Sequence, residues 1–288
     1  MPISASDFIR DIDKLAIISD SCFRAIEIAG DESCSALDIA NEIAKDPLLT
    51  ANILKIANSA FYGFRAKVDN LPRAISIIGT TDLIDLMTVV SAIHNVDKLN
   101  VPHLNISQFW THSLFVGLLE KELARFSSTK ILHRERLFTA GVLHELGRVV
   151  MALKISELFQ VMQQRAIQSG EAFHVVEKLV FDLGHEQVGA ALLKKWLFPD
   201  SLVSMVRHHY EPEGAGQYSL ETSILHIANE LASTAGMVGI VYDARPAIAE
   251  FAWQITGISE ENANKAMEEA RSLYRQSASL FLPKARFA

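Results

Sequence analysis

The sequence predicts an all-α fold in which a bundle of short N-terminal helices packs on a second, larger helical bundle. Three observations carry this. Helix-start and helix-stop residues recur along the chain, the apolar residues between them fall at helical spacing, and no segment alternates apolar and polar residues for long enough to make a strand. The 288 residues allow one large domain or two of ordinary size, and 49% hydrophobic with 21% charged residues excludes disorder.

Taken in order, Ser19 to Ala29 and Ser35 to Ala44 are amphipathic stretches around Gly30-Asp31. Asp46-Pro47 is an N-cap with proline at the first helical position, Leu49, Ile53 and Ile56 follow at helical spacing, and Gly63 is placed to end that helix. Asn70-Leu71-Pro72 opens the next helix and Gly79 closes it; Thr81-Asp82 then opens a third through Val90. Val96 to Asn105, with Pro102, reads as a boundary, giving parts 1–105 and 106–288. Beyond it, helices are expected at 108–126, 134–153, 156–167, 171–181, 186–197, 201–209, 220–233 and 259–276. Ser107, Ser219 and Ser259 stand as N-caps, and Gly170, Pro199 and Pro212 as stops. Gly239 to Tyr242 is too short to assign, and the tail 280–288 reads as a frayed end.

A net charge of −7 argues against a binder that hugs nucleic-acid phosphates. The greasiest stretch, Leu137 to Ile155, is interrupted by His144, Glu145, Arg148 and Lys154, so it reads as a buried helix and not as a membrane span. The first residues carry acids and no apolar core of a signal peptide, and Cys22 and Cys34 are too few for a disulfide framework; both point to the cytoplasm.

The ten histidines are the compositional anomaly. His112, His144, His185, His208, His209 and His226 fall on successive helices beside small residues such as Gly141, Gly147, Gly184 and Gly189. One such histidine would be a hydrogen-bonded core residue, but helices that each project histidine or carboxylate inward are a standard way to build a metal site. Neighbours on a helix point about 100° apart, so His144/Glu145 and His208/His209 would serve two ions, or one ion plus an outer contact.

The order His112, then His144-Glu145 followed by Leu-Gly-Arg, then His185, then His208-His209, then Asn229, resembles the HD phosphohydrolase superfamily. The first half narrows the resemblance. Asp46-Pro47-Leu48-Leu49 and the specific run Leu54-Lys55-Ile56-Ala57-Asn58-Ser59-Ala60-Phe61-Tyr62-Gly63 look like the HDOD family, as do Trp110-Thr111-His112-Ser113 and Gly184-His185-Glu186-Gln187-Val188-Gly189-Ala190. The likeness runs from about residue 10 to 235.

The resemblance implies an all-α HDOD architecture, with the N-terminal bundle packed on an HD-like one, and a role as a regulatory module in bacterial signalling. Its metal ligands would be His112, His144, Glu145, His185, His208 and His209, around a divalent ion such as Fe, Mn, Mg or Zn. Glu145 and Arg148 would be the catalytic residues if the protein is an enzyme, with Arg148 as an anion contact. The sequence departs from active HD enzymes at the acids: Glu145 stands where they carry aspartate, Asn229 stands at the last acidic ligand, and a Gly-Tyr-Pro motif is absent after His208-His209. Loss of anionic ligands weakens binding of hard divalent ions and activation of water, so the expectation is a degenerate site. Signalling proteins are the implied partners and a nucleotide or phosphate the implied ligand of the HD-like cavity. Membranes are not among the expected partners, and nucleic acid is disfavoured. The chain is too short for an added receiver, kinase or cyclase domain, so a stand-alone module is expected. The competing expectation is a metal-dependent phosphohydrolase.

The run Asn58 to Gly63 also has a plain structural reading as a helix terminus with packed aromatics, and Glu260-Glu261 reads as the solvated first turn of a helix.

Overall fold

A computed structural model describes residues 4–10, 17–31, 33–59, 61–64, 67–131, 134–234, 236 and 247–282. The described residues form α-helices and one 3-10 helix, with no strand among them, so the all-α expectation holds. Gly239 to Tyr242 and the tail from 283 lie outside the described residues. No single helix among the described residues is long and apolar enough to cross a membrane.

The chain forms two compact units, residues 1–12 with 100–271 and residues 13–99 with 272–288. The helices are numbered along the chain from α1 (Ala5–Phe8). The second unit holds α2 (Asp20–Ala29), α3 (Ala36–Ile43), α4 (Pro47–Ala57), α5 (Leu71–Ile78) and α6 (Thr80–Val96). Ser19, Ser35, Asp46 and Asn70 cap α2 to α5, each accepting a backbone N–H three residues on. α4 ends at Ala57, earlier than the glycine signal implies. The Asn58 amide donates to Leu54 O (2.7 Å) and Val68 O (2.6 Å) and accepts from Val68 N (2.8 Å), so it closes the loop that follows. Gly63, at φ 62°, turns inside that loop. Phe61 packs edge-on against Tyr62 and Phe281, which gives the signature run its structural role.

The first unit holds α7 (Ile106–Leu123), α8 (Arg134–Leu143), α9 (Leu146–Lys154), α10 (Ser156–Ser169), α11 (Phe173–Phe181), α12 (His185–Lys195) and α13 (Asp200–His208). A 3-10 helix (Pro212–Tyr218), α14 (Ser219–Thr234), α15 (Glu250–Thr256) and most of α16 (Glu260–Phe281) complete it. α7 packs on α8 and α14, α12 on α9 and α13, and α14 on α15. Two crossings depend on glycine. A Cβ at Gly141 would lie 2.5 Å from Gly117 Cα, and one at Gly147 would lie 1.9 Å from His185 O, so α7/α8 and α9/α12 meet backbone to backbone.

Several sequence expectations need correction. The helix expected at 134–153 is two, broken at His144-Glu145. The cap of α7 is Asn105, which accepts from Gln108 N at 3.1 Å, and Ser107 lies inside the helix. Ser219 is the first residue of α14 and not its cap, because its hydroxyl donates back to Gly216 O at 2.7 Å. Pro199 and Pro212 each open the next element instead of closing the last, as their fixed φ favours. α1 and α15 carried no signal strong enough to be expected. The units also differ from a division at residue 105: α1 packs on α9 and α12, and the end of α16 joins residues 13–99.

Candidate metal centre

The first unit gathers a group of polar side chains at most 5% exposed: His112, His144, Glu145, Arg148, His185, His209 and Asn229. α7 supplies His112, the α8–α9 corner supplies His144 and Glu145, and α9 supplies Arg148. His185 starts α12, His209 follows α13, and Asn229 lies on α14. Ring centroids are 5.5 Å apart for His112 and His144, 5.1 Å for His144 and His209, and 5.6 Å for His185 and His209. Two sets of ligand atoms, from His112, His144 and Glu145 and from Glu145, His185 and His209, each lie within 4.8 Å of one another, with Glu145 common to both.

The corner explains how adjacent residues serve one cluster. In a continuous helix His144 and Glu145 would diverge; the break lets both point inward. The Gly141 carbonyl, deprived of its helical donor, accepts instead from His144 Nδ1 at 2.7 Å. The same device recurs at the end of α13, where His209 Nδ1 donates to Val206 O at 2.8 Å. Each bond fixes the tautomer and leaves Nε2 as a lone-pair donor aimed into the cluster. His185 is held differently. Glu177 Oε2 accepts from both His185 N (3.0 Å) and His185 Nδ1 (2.6 Å), so it caps α12 and orients the ring at once. Among the described residues, neither His185 Nε2 nor His209 Nε2 has a hydrogen-bond partner. Buried, unpartnered and correctly oriented imidazole nitrogens beside a carboxylate fit a divalent ion such as Zn, Mn or Fe.

The other face of Glu145 is finished with an amide. His112 Nε2 donates to Asn229 Oδ1 at 3.0 Å, and His144 Nε2 lies 3.3 Å from the same oxygen. Glu145 Oε1 is 3.5 Å from both His144 Nε2 and His185 Nε2, while Oε2 is ion-paired with Arg148 Nε at 2.8 Å, a nitrogen that also lies 3.3 Å from His185 Nδ1. Arg148 Nη2 donates to Tyr210 OH at 3.1 Å, and its guanidinium lies 5.5 Å from the Phe173 ring centre.

Burial holds the His144 imidazole down to about 4 and that of His209 well below its ordinary value, so both are neutral ligands at pH 7. Burial opposes ionisation of Glu145, but Arg148, His185 and His144 hold it well below the usual carboxylate range. For His185, burial and Arg148 work against the proton, yet Glu177 and Glu145 outweigh them and raise it to about 10.

Of the expected ligands, His112, His144, Glu145, His185 and His209 come together. His208 does not: one helical step turns it away, to a groove it shares with Lys178, Arg207, Tyr210 and Glu211. Arg148 lies inside the cluster, buried and paired with Glu145. His226 is structural, donating from Nδ1 to His209 O (2.8 Å) and accepting at Nε2 from Ala249 N (3.0 Å). Sequence reasoning missed Glu177, inside α11, and Tyr210, directly after the His208-His209 pair at the end of α13.

The chain spans less than half of one curated relative it matches: an uncharacterised protein of Treponema pallidum (strain Nichols) is 26% identical over 227 residues, covering 78% of this chain and 43% of that protein. A solved structure from Shewanella amazonensis SB2B, whose name carries an inferred phosphohydrolase assignment, has a TM-score of 0.71 at 20% identity, covering 96% of this chain and 98% of that one. An HDOD domain protein of unknown function from Geobacter sulfurreducens has a TM-score of 0.68 at 20% identity, with 91% of each chain covered. At that identity both likenesses speak to the fold alone. The HDOD domain profile matches residues 15–212, more than half of the sequence, and the chain belongs to the HDOD family.

Proposed function

We propose that this chain is a signal-transduction module that acts through protein partners and carries a weakened HD-type metal site. The observation that carries the reading is the state of the acids: Asn229 brings no charge to His112 and His144, and the Glu145 carboxylate is paired with Arg148. A bound divalent ion supplies Lewis-acid polarisation of a phosphoryl oxygen, and that role weakens as anionic ligands are lost. Of this chain's own residues, Glu145, His185 and His209 would hold the ion, and Glu177 would orient His185. The groove of Lys178, Arg207, His208 and Tyr210 reaches Arg148 through the Tyr210 hydroxyl; Glu186 and Glu211, which pair with Lys178, also line it, so Arg207 is the cation that supports a phosphate or nucleotide ligand there. The two-cysteine composition supports a cytoplasmic setting.

The alternative is an active metal-dependent phosphohydrolase of phosphodiesters or phosphomonoesters. The unpartnered Nε2 atoms of His185 and His209 favour it, as does the name of the Shewanella protein. The test is hydrolysis of cyclic dinucleotides and of a generic phosphomonoester with added manganese or iron. Little or no turnover is expected. Robust turnover by the wild type that His144→Ala abolishes would establish the enzyme instead.

A further inference from the structure

We propose that Arg148 stands in for a second cation beside Glu145, so that the centre takes a single divalent ion, held by Glu145, His185 and His209. The inference rests on the metal-binding reading above and adds to it the number of ions and their side of the cluster.

A carboxylate that bridges two ions offers one oxygen to each. Glu145 has only one to offer. Its Oε2 is ion-paired with Arg148 Nε at 2.8 Å, a nitrogen that also lies 3.3 Å from His185 Nδ1, and its Oε1 points between His144 and His185. The guanidinium cannot leave at small cost. It is 2% exposed, donates to Tyr210, and lies by Phe173, and its departure would strand a charge in the interior. Lysine in this place would be a compact point charge; the planar fork of arginine holds carboxylate and phenol together.

Charge points the same way. The Asn229 amide supplies no negative charge to the His112/His144 face, so a second divalent ion there would meet a single carboxylate that is already ion-paired with Arg148. The His185/His209 face differs in two respects. Among the described residues both Nε2 atoms are without hydrogen-bond partners, and the Glu177 carboxylate stands 2.6 Å behind His185. A guanidinium cannot activate water as a metal does, so a one-ion centre of this kind lacks the second ion's share of that chemistry.

The test loads chelator-treated protein with manganese(II) and counts ions per chain by mass spectrometry, with electron paramagnetic resonance to separate isolated from exchange-coupled ions. The wild type is expected to hold one uncoupled ion. Arg148→Gln, which keeps a donor for Glu145 but removes the charge, is expected to gain a second, coupled ion, with affinity for it raised about tenfold or more over the wild type. Arg148→Lys, which keeps the charge, is expected to stay at one ion. His209→Ala should lose the ion that His112→Ala retains. Circular dichroism checks that each variant folds, and the wild-type count decides even if Arg148→Gln does not fold. Two coupled ions in the wild type, or a single ion in folded Arg148→Gln, would overturn this inference and leave the metal reading standing. No bound ion in any of these proteins would overturn both.

Discussion

His185 and His209 stand on one side of Glu145, His112 and His144 on the other, and the two sides use the same residue type to different ends. On the first side neither Nε2 atom has a hydrogen-bond partner among the described residues, and a buried carboxylate backs one of the rings. On the second, His112 Nε2 donates to the oxygen of the Asn229 amide, and the lone pair of His144 Nε2 lies 3.3 Å from that same oxygen with no negative charge added beside it. The difference teaches that a histidine count does not measure metal-binding capacity. What decides it is whether the inward nitrogen is left unsatisfied and whether negative charge stands within reach.

The largest expected effect separates the two faces directly. His209→Ala should weaken divalent-ion affinity about a hundredfold, roughly 2.7 kcal/mol, while His112→Ala changes it by about threefold at most; isothermal titration with zinc or manganese reads both. Equal losses would show that the faces act as one site.

Acidity sharpens the comparison next. With His185 raised to about 10, an ion taken on its side must displace a proton at neutral pH, and affinity should climb about tenfold per unit from roughly pH 7 to 9. Binding on the other side would be flat over that range, because His144 titrates at about 4. The same shift affects the metal-free protein in the opposite sense. The folded value of His185 lies above the ordinary value of about 6.5, so its stabilisation is complete below that pH and is lost as the pH rises through about 10. Chemical denaturation at several pH values checks this, and Glu177→Gln should flatten the slope.

A smaller change is expected from Asn229→Asp, which puts a carboxylate where His112 and His144 converge. It should raise affinity on that face about tenfold and lower the stability of the metal-free protein. The smallest effect belongs to His208→Ala, which should leave ion affinity within about twofold of the wild type while its neighbour His209 does not. A large loss in His208→Ala would return it to the cluster.

The order of the histidines was legible because each sits at a recognisable helix, and so was the all-α architecture, because caps such as Ser19, Ser35, Asp46 and Asn70 are local signals. The corner at His144-Glu145 was not legible. Leu143-His144-Glu145-Leu146 contains no glycine or proline, and the break goes with tertiary packing, in which α9 crosses α12 at Gly147. The choice between His208 and His209 likewise depends on how α13 is rotated, which spacing does not fix. Glu177 escaped notice because α11 ends at Asp182 with φ 57°, a left-handed turn without glycine, so nothing marked the return that brings residue 177 under residue 185.

The depth of the cluster has a kinetic consequence. Every ligand is at most 5% exposed, so an ion can enter or leave only when helices part locally. Exchange would then follow the rate of that opening and not the concentration of competing ions. A chain that acquired its ion while folding would keep it through later changes in supply, and a chelator would strip it at a rate nearly independent of chelator concentration. Metal content would thus record the conditions under which the chain folded.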